Sequence, residues 1–326
     1  MSAQRPKLSR AQLAELRVRG NLRPGLHVVA VSATIAAVLV LFAWAPHPLA
    51  FIPCCLVIGA LQHHLSIIQH EAVHFLLFTN RRANNLVGAA MAYLIFFTME
   101  YRSIHLQHHR SLGHDDDPDL DNYVNYPNDR GYVIRDAVRH LSGLAAVQQF
   151  VHQATRSADG RREPPTRSRK VLARFTPGLA GIAVTQAALF GLFLWLGHWE
   201  YYFLLWILPL LTVAKSLTHF RNVVEHAQVR SLGDPEFSRL RTILCSPLEA
   251  FFFAPMNFNY HAEHHFYMGI PYHQLPRCHA LLAAQPAYTE AVEIERGYLR
   301  FLLGTLCRAR SSGTAGRATG QPSTQA

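Results

Sequence analysis

Charge is scarce in this chain. Asp, Glu, Lys and Arg make up only 16% of its 326 residues, against about a quarter in soluble proteins. The apolar runs contain almost no acidic residues, which argues against a metal transporter or metal-storing membrane protein, because those place carboxylates on their spans near the bilayer midplane. Cysteine is sparse as well. Cys54, Cys55, Cys245, Cys278 and Cys307 are odd in number and lack CxxC spacing, so neither a disulfide framework nor a zinc ribbon is expected. No cleavable signal peptide is expected either, since the first apolar run follows a polar, basic stretch and has no small-residue cleavage site after it.

What the chain has in quantity is apolar residues, at 50%, and their distribution predicts a membrane protein. Apolar runs at about 27–44, 49–68 and 179–196, with a fourth at 201–217, approach the ~20 residues that a helix needs to cross a bilayer. Short turns join them in pairs, Ala45–Pro48 and Gly197–Glu200, and neither turn carries Lys or Arg. Trp195, Trp199, Tyr201 and Tyr202 gather at the second turn, as an aromatic belt does at one membrane face. The apolar run 86–97 is too short to cross and reads as a re-entrant, interfacial or buried helix. The net charge of +10 would suit nucleic acid, but the arginines lie beside and between the spans, where the positive-inside rule expects them. That rule predicts both termini and residues 70–177 on the cytoplasmic side. Nucleic-acid binding is not expected.

These features give an all-α integral membrane fold of four transmembrane helices in two hairpins, with a cytoplasmic helical cap. Residues 1–24 form a basic cytoplasmic segment with a short amphipathic helix from Arg10, closed by Pro24 and Gly25. Residues 25–310 form the membrane domain and 311–326 a disordered tail. Asp159–Pro165 is expected as a flexible surface loop, and residues 243–256 lie against the membrane surface or the core.

Histidine supplies the chemistry. Of twenty histidines, the key groups are His70-Glu-Ala-Val-His74, His105-Leu-Gln-His108-His109 and His261-Ala-Glu-His264-His265, with Asn222-Val-Val-Glu-His226 before the last. Offsets of three and four residues put side chains on one helical face, so each group can aim its imidazoles at one point. Nine imidazoles exceed the four to six ligands of one ion and suit two. Imidazole alone leaves Fe, Zn, Cu and Ni open. The orientation predicted above puts every one of these groups on the same membrane face. A site there needs a substrate reachable from lipid, and its neutral ligands suit dioxygen chemistry better than hydrolysis, for which three protein ligands and a water suffice. Taking hydrogen from an unactivated C–H bond is beyond any side chain, which makes redox-active iron the natural choice. No catalytic residue separate from the metal ligands is expected, and no organic cofactor site.

The boxes HEAVH, HLQHH and HAEHH resemble those of the membrane fatty-acid desaturase and hydroxylase superfamily. Asp117-Pro118-Asp119 after the second box and Pro271–Pro276 after the third are similar to that family too, and the resemblance covers about residues 25–285. It implies a di-iron centre held by His70, His74, His105, His108, His109, His226, His261, His264 and His265, with Asn222 coordinating through water. It also implies O2 as co-substrate and an acyl-lipid or other hydrophobic substrate. Electrons would come from an external donor of the ferredoxin or cytochrome b5 type with its reductase, since the chain has no His-Pro-Gly-Gly haem motif. His261 opens the third box where front-end desaturases have Gln, which argues against that subgroup. Glu71, Glu225, Glu263 and Asp117 stand beside ligand positions and are candidates to orient imidazoles. His63, His64, His114, His219 and His273 are further histidines near the boxes. Desaturation of an acyl chain is the expected reaction, with hydroxylation or ketolation of a lipid or small metabolite as the alternative at the same centre. The compact chain points to a bacterial inner membrane.

Overall fold

A computed structural model describes residues 6–124, 126, 130–149, 167–227 and 240–308 of the protein. The loop expected at 159–165 and the tail expected at 311–326 lie outside the described residues. The chain is mostly helical. It begins with α1 (Arg10–Leu16), started by a capping box in which Ser9 and Gln12 satisfy one another's backbone donors. Then come α2 (Leu22–Trp44) and α3 (Pro48–Val73), three residues apart. Pro24 and Gly25 do not close α1 as expected; they lie in the first turn of α2. A proline there sacrifices only an N–H that has no helical partner.

Next are α4 (Arg81–Leu94), α5 (Tyr101–Ser111), the single turn α6 (Leu120–Tyr123) and α7 (Arg130–Leu141). The apolar run expected from 86 belongs to α4, which starts earlier because Asn80 caps the backbone N–H groups of Arg82 and Ala83. Two long helices follow, α8 (Arg167–Trp195) and α9 (Trp199–His226). The last part of the chain holds β1 (Arg241–Ile243), α10 (Pro247–Phe253), α11 (His261–Phe266), α12 (Leu275–Ala283), α13 (Pro286–Ala291), β2 (Glu293–Glu295) and α14 (Tyr298–Arg308). The parallel pairing of β1 with β2 corrects the all-α expectation. Arg241 fixes it in place, reaching Glu293 at 3.0 Å and the carbonyl of Val224 at 3.0 Å.

Four helices are long and apolar enough to cross a membrane: α2, α3, residues Pro177–Trp195 of α8, and α9. All four apolar runs expected from the sequence lie in these helices. Two of the helices continue well past the apolar stretch at the histidine end, α3 to Val73 and α9 to His226, because the box residues prolong the same helix. The four differ sharply in burial. In its most apolar window α3 is 61% buried, against 17% for α2, so α3 is the central post and α2 leans on one side of it. Glycine allows the closest approaches to this post. A Cβ at Gly59 would stand 2.4 Å from Val213 Cβ on α9, and one at Gly88 would stand 2.5 Å from Ala72 Cβ.

The fourth of these helices is widened to π geometry at Tyr202–Ile207 and again at Leu210–Ala214. Pro209 lies between the two stretches; it lacks an N–H and its ring crowds the preceding turn. Carbonyls in that region bond to α3 instead: Gln62 Nε2 donates to Trp206 O at 2.8 Å, and Cys55 Sγ to Leu204 O at 3.6 Å. A separate apolar core, including Leu16, Ala262, Ile270, Leu275 and Leu282, joins α1 to the segments around the third histidine box.

Candidate metal centre

Each histidine group is carried by a helix end. His70 is in the last turn of α3 and His74 is its C-cap. The chain then turns at Phe75 with φ of 59°, and the carbonyls of Ala72 and Val73 accept hydrogen bonds from Arg102 on α5, both at 2.9 Å. Arg102 also lies over the Phe75 ring at 3.9 Å. One side chain thus caps the helix of the first box and ties it to the helix of the second. Short helix α11 carries the third box, and His226 ends α9.

The nine imidazoles meet as two sets. The ligand atoms of His70, His74, His105, His109 and His264 lie within 4.8 Å of one another. His105 Nε2 is the hub, 2.8 Å from His70 Nε2 and 3.0 Å from both His74 Nε2 and His109 Nε2. His264 Nε2 joins through His109 at 3.2 Å. The second set gathers His108, His226 and His265, and His261 joins it, its Nε2 2.8 Å from His226 Nε2 and 3.0 Å from His265 Nε2. The His109 and His265 rings, 4.1 Å apart, link the two.

These contacts cannot all be hydrogen bonds. A neutral imidazole carries one proton, so the His105 Nε2 atom cannot serve three other Nε2 atoms. Separations near 3 Å are instead the edge of a coordination polyhedron with metal–nitrogen bonds of ~2.1 Å. Burial first, then His74 and His108 nearby, push His109 down to about 2; burial, then Arg102, push His74 down to about 4. Both are therefore neutral, the form that binds metal. The buried Nδ1 atoms of His70, His109, His226 and His261 have no hydrogen-bond partner, and neither does Asn222 Oδ1. The two sets of imidazoles are clusters that could hold metal ions, and Asn222 lies one helical turn before His226.

The carboxylates expected to orient imidazoles have different fates. Asp117 accepts from His108 Nδ1 at 2.8 Å, and also from Tyr123 Oη at 2.5 Å and from the backbone of Gly113 and Asp119. Burial works to raise its carboxyl, but the bonds from His108 and Tyr123 prevail and hold it below its ordinary value. Glu225 Oε2 is 3.5 Å from His261 Nδ1 and is gripped by Arg221 at 2.6 Å, while Oε1 accepts from Tyr298 at 3.1 Å. Glu71 lies 4.0 Å from His70 Nδ1 and accepts from the backbone of Tyr272 at 3.3 Å. Glu263 points the other way, to Thr242 at 2.7 Å, His279 Nδ1 at 2.5 Å and Tyr288. Two residues after His261 on a helix is about 200° around the axis, so Glu263 anchors the back of α11. Asp115 and Asp116 are exposed in the loop.

Of the other histidines, His63 bonds Thr218 at 3.1 Å and the Phe253 carbonyl at 3.0 Å, and His64 bonds the Phe251 carbonyl at 2.8 Å. His273 keeps a buried, unpartnered Nδ1. Four residues at the centre were not expected from the sequence. Tyr101 stacks on His105 with centroids 5.4 Å apart, and Tyr123 lies 5.2 Å from His226. Phe258 stands edge-on to His70 at 4.6 Å with the Arg221 guanidinium over it at 4.3 Å. Tyr101 and Arg221 each sit one helical turn before a partner, His105 and Glu225, and that spacing was the available signal.

Residues 46–297 match the family model "Fatty acid desaturase". The chain is also similar to the dihydrorhizobitoxine desaturase of Bradyrhizobium elkanii, 27% identical over 292 residues that cover 86% of this chain and 80% of the relative. The match spans every histidine box and all four candidate membrane helices except α2. This chain therefore belongs to the fatty acid desaturase family: it is a membrane oxidoreductase of the desaturase type, whose chemistry depends on oxygen.

Proposed function

We propose that the protein is a di-iron desaturase that introduces a C=C bond into an acyl chain, drawing electrons from an external donor. One iron would be held by His70, His74, His105, His109 and His264, the other by His108, His226, His261 and His265, with Asn222 reaching it through water. The observation that carries this reading is the convergence of three imidazoles on His105 Nε2 within 3.0 Å. When bound, such a pair supplies dioxygen reduction and removal of hydrogen from an unactivated C–H bond, which no side chain performs.

The surrounding residues set the stage for that chemistry. Asp117 fixes the His108 ring by accepting from its Nδ1 at 2.8 Å. Phe258 packs edge-on to His70 at 4.6 Å and against His261 at 5.1 Å, with the Arg221 guanidinium over its ring at 4.3 Å. Arg221, Glu225 and Tyr298 form a buried chain behind His261.

The same reading extends to the membrane. The four spans form two hairpins, with 45–48 and 197–200 at one face and a cytoplasmic cap carrying the boxes at the other. The absence of Lys and Arg from both turns supports this orientation. Residues 25–310 act as one membrane domain behind the basic segment 1–24, in a bacterial inner membrane. The donor would be a ferredoxin or a cytochrome b5 type protein with its reductase.

The relative's name carries no acyl lipid, a reason to test metabolites as well as lipids. The experiment is mass spectrometry of lipids and metabolites from a host expressing the protein, against the same host with His264→Ala. A product lighter by two hydrogens supports the proposal; one heavier by an oxygen atom shows the hydroxylase alternative; identical profiles refute both.

A further inference from the structure

Where the chain leaves the first histidine box, arginines gather around one aromatic ring. His74 caps α3, and Phe75 follows it in the left-handed region at φ of 59°. Glycine takes that position without strain; here a phenylalanine brings a ring to it. The Arg102 guanidinium lies over this ring at 3.9 Å and that of Arg81 at 4.9 Å, while Arg19 Nη1 donates to the Phe75 carbonyl at 2.9 Å. Asn21 Oδ1 accepts from the Thr79 N–H at 2.9 Å, which joins the start of α2 to the turn before α4. Segments 17–23 and 75–82 therefore share one surface, with Arg19, Arg23, Arg81 and Arg82 exposed on it. Neither segment contains an acidic residue. The ion pairs that arginine makes among the described residues are elsewhere, at Arg221, Arg241 and Arg277.

We propose that this arginine surface is the docking site of an acidic electron-donor protein, meeting the five-imidazole set at His74. The inference rests on the di-iron reading above, whose electrons it would deliver: two electrons and two protons from outside, with two hydrogen atoms from the substrate, reduce O2 to two waters. Guanidiniums without acidic partners recognise carboxylates, and a field of one sign steers an oppositely charged protein to the surface. Phe75 lies ~40 Å along the helical rise from Pro48, about 10 Å past a hydrocarbon core of ~30 Å. Arginines gathered on it favour an anion in the aqueous phase over a lipid headgroup.

Full-length enzyme in nanodiscs of zwitterionic lipid tests the proposal, with a plant-type ferredoxin and a cytochrome b5, both of net negative charge, as probes. At least one should bind wild type, more weakly as salt rises. Arg81→Glu with Arg82→Glu should weaken that binding by about tenfold or more at low salt, and slow reduction of the iron-loaded enzyme by the bound donor in proportion. Reduction by dithionite should not change. Arg296→Glu with Arg300→Glu, an equal change of net charge on a different segment, should leave both readings near wild type. Binding by neither probe, or an equal loss in the two double variants, overturns the proposal. So does dithionite reduction that falls with the donor-driven rate. Unchanged donor binding with weakened retention of anionic lipid assigns the surface to headgroups instead. Enzyme that takes up no iron but still binds a probe through Arg81 and Arg82 refutes the di-iron reading and leaves the docking site standing.

Discussion

The second and third histidine boxes have the same spacing and opposite destinations. In HLQHH the outer pair His105 and His109 joins the five-imidazole set and the odd one, His108, crosses to the other. In HAEHH the outer pair His261 and His265 joins the four-imidazole set and His264 crosses back. Residues four apart on a helix differ by about 40° around its axis, whereas the third position is turned by about 60° from the first on the other side. Each helix therefore aims two donors at one point and one donor at another. The boxes are not modules that each bind one ion. Both sets are built from several helices, so α5 and α11 must be mutually placed before either is complete.

Substitution at the crossing residues breaks that exchange most directly. His264→Ala and His108→Ala should each abolish turnover, with the first removing a donor from the five-imidazole set and the second from the four. Iron content should drop from about two per chain in both, read by elemental analysis on protein still in the membrane fraction. Retention of full activity by either variant would break the assignment.

Asp117→Asn separates the sets further, because only the four-imidazole side has a carboxylate within hydrogen-bonding distance of a ligand, among the described residues. Loss of such an orienting group costs roughly 10–100-fold in metal affinity, measurable as faster iron loss to a chelator. Asn222→Ala keeps all nine imidazoles and should weaken retention by about tenfold or less; iron lost as completely as in His108→Ala would mean that Asn222 does more than hold water. His198→Ala is the smallest change. His198 stacks on Tyr201 at 4.8 Å in the 197–200 turn, and its removal should leave activity intact and stability within about 0.5 kcal/mol by thermal melt.

Much of this was legible in the residues. The i, i+3 and i, i+4 offsets showed that the boxes are helical and convergent, and the apolar runs located the four long helices. The allocation of donors was also implicit in the offsets, but only once α5 and α11 are known to face one another, which spacing does not say. Glu263 shows the limit from the other side. Being next to His264 in sequence made it a candidate partner, yet helical geometry turns it toward Thr242 and His279. Arg221, Tyr101 and Phe258 escaped because side chains with an obvious packing use give no signal of what they pack against. The pairing of Arg241–Ile243 with Glu293–Glu295 joins segments fifty residues apart, a contact that no local pattern encodes.

The π turns of α9 make the chain's residue count part of its chemistry. Each widened stretch lets an extra residue slip into the helix without lengthening it by a full step, so everything downstream is rotated about the axis. His219, Asn222 and His226 all lie downstream. Deleting one residue inside either π stretch should let it relax to α geometry and leave the three in place, whereas inserting one residue between 215 and 218 should swing them by about 100°. The same residues wound as an ideal α-helix, however stable by itself, would turn their donors away from the other histidine boxes.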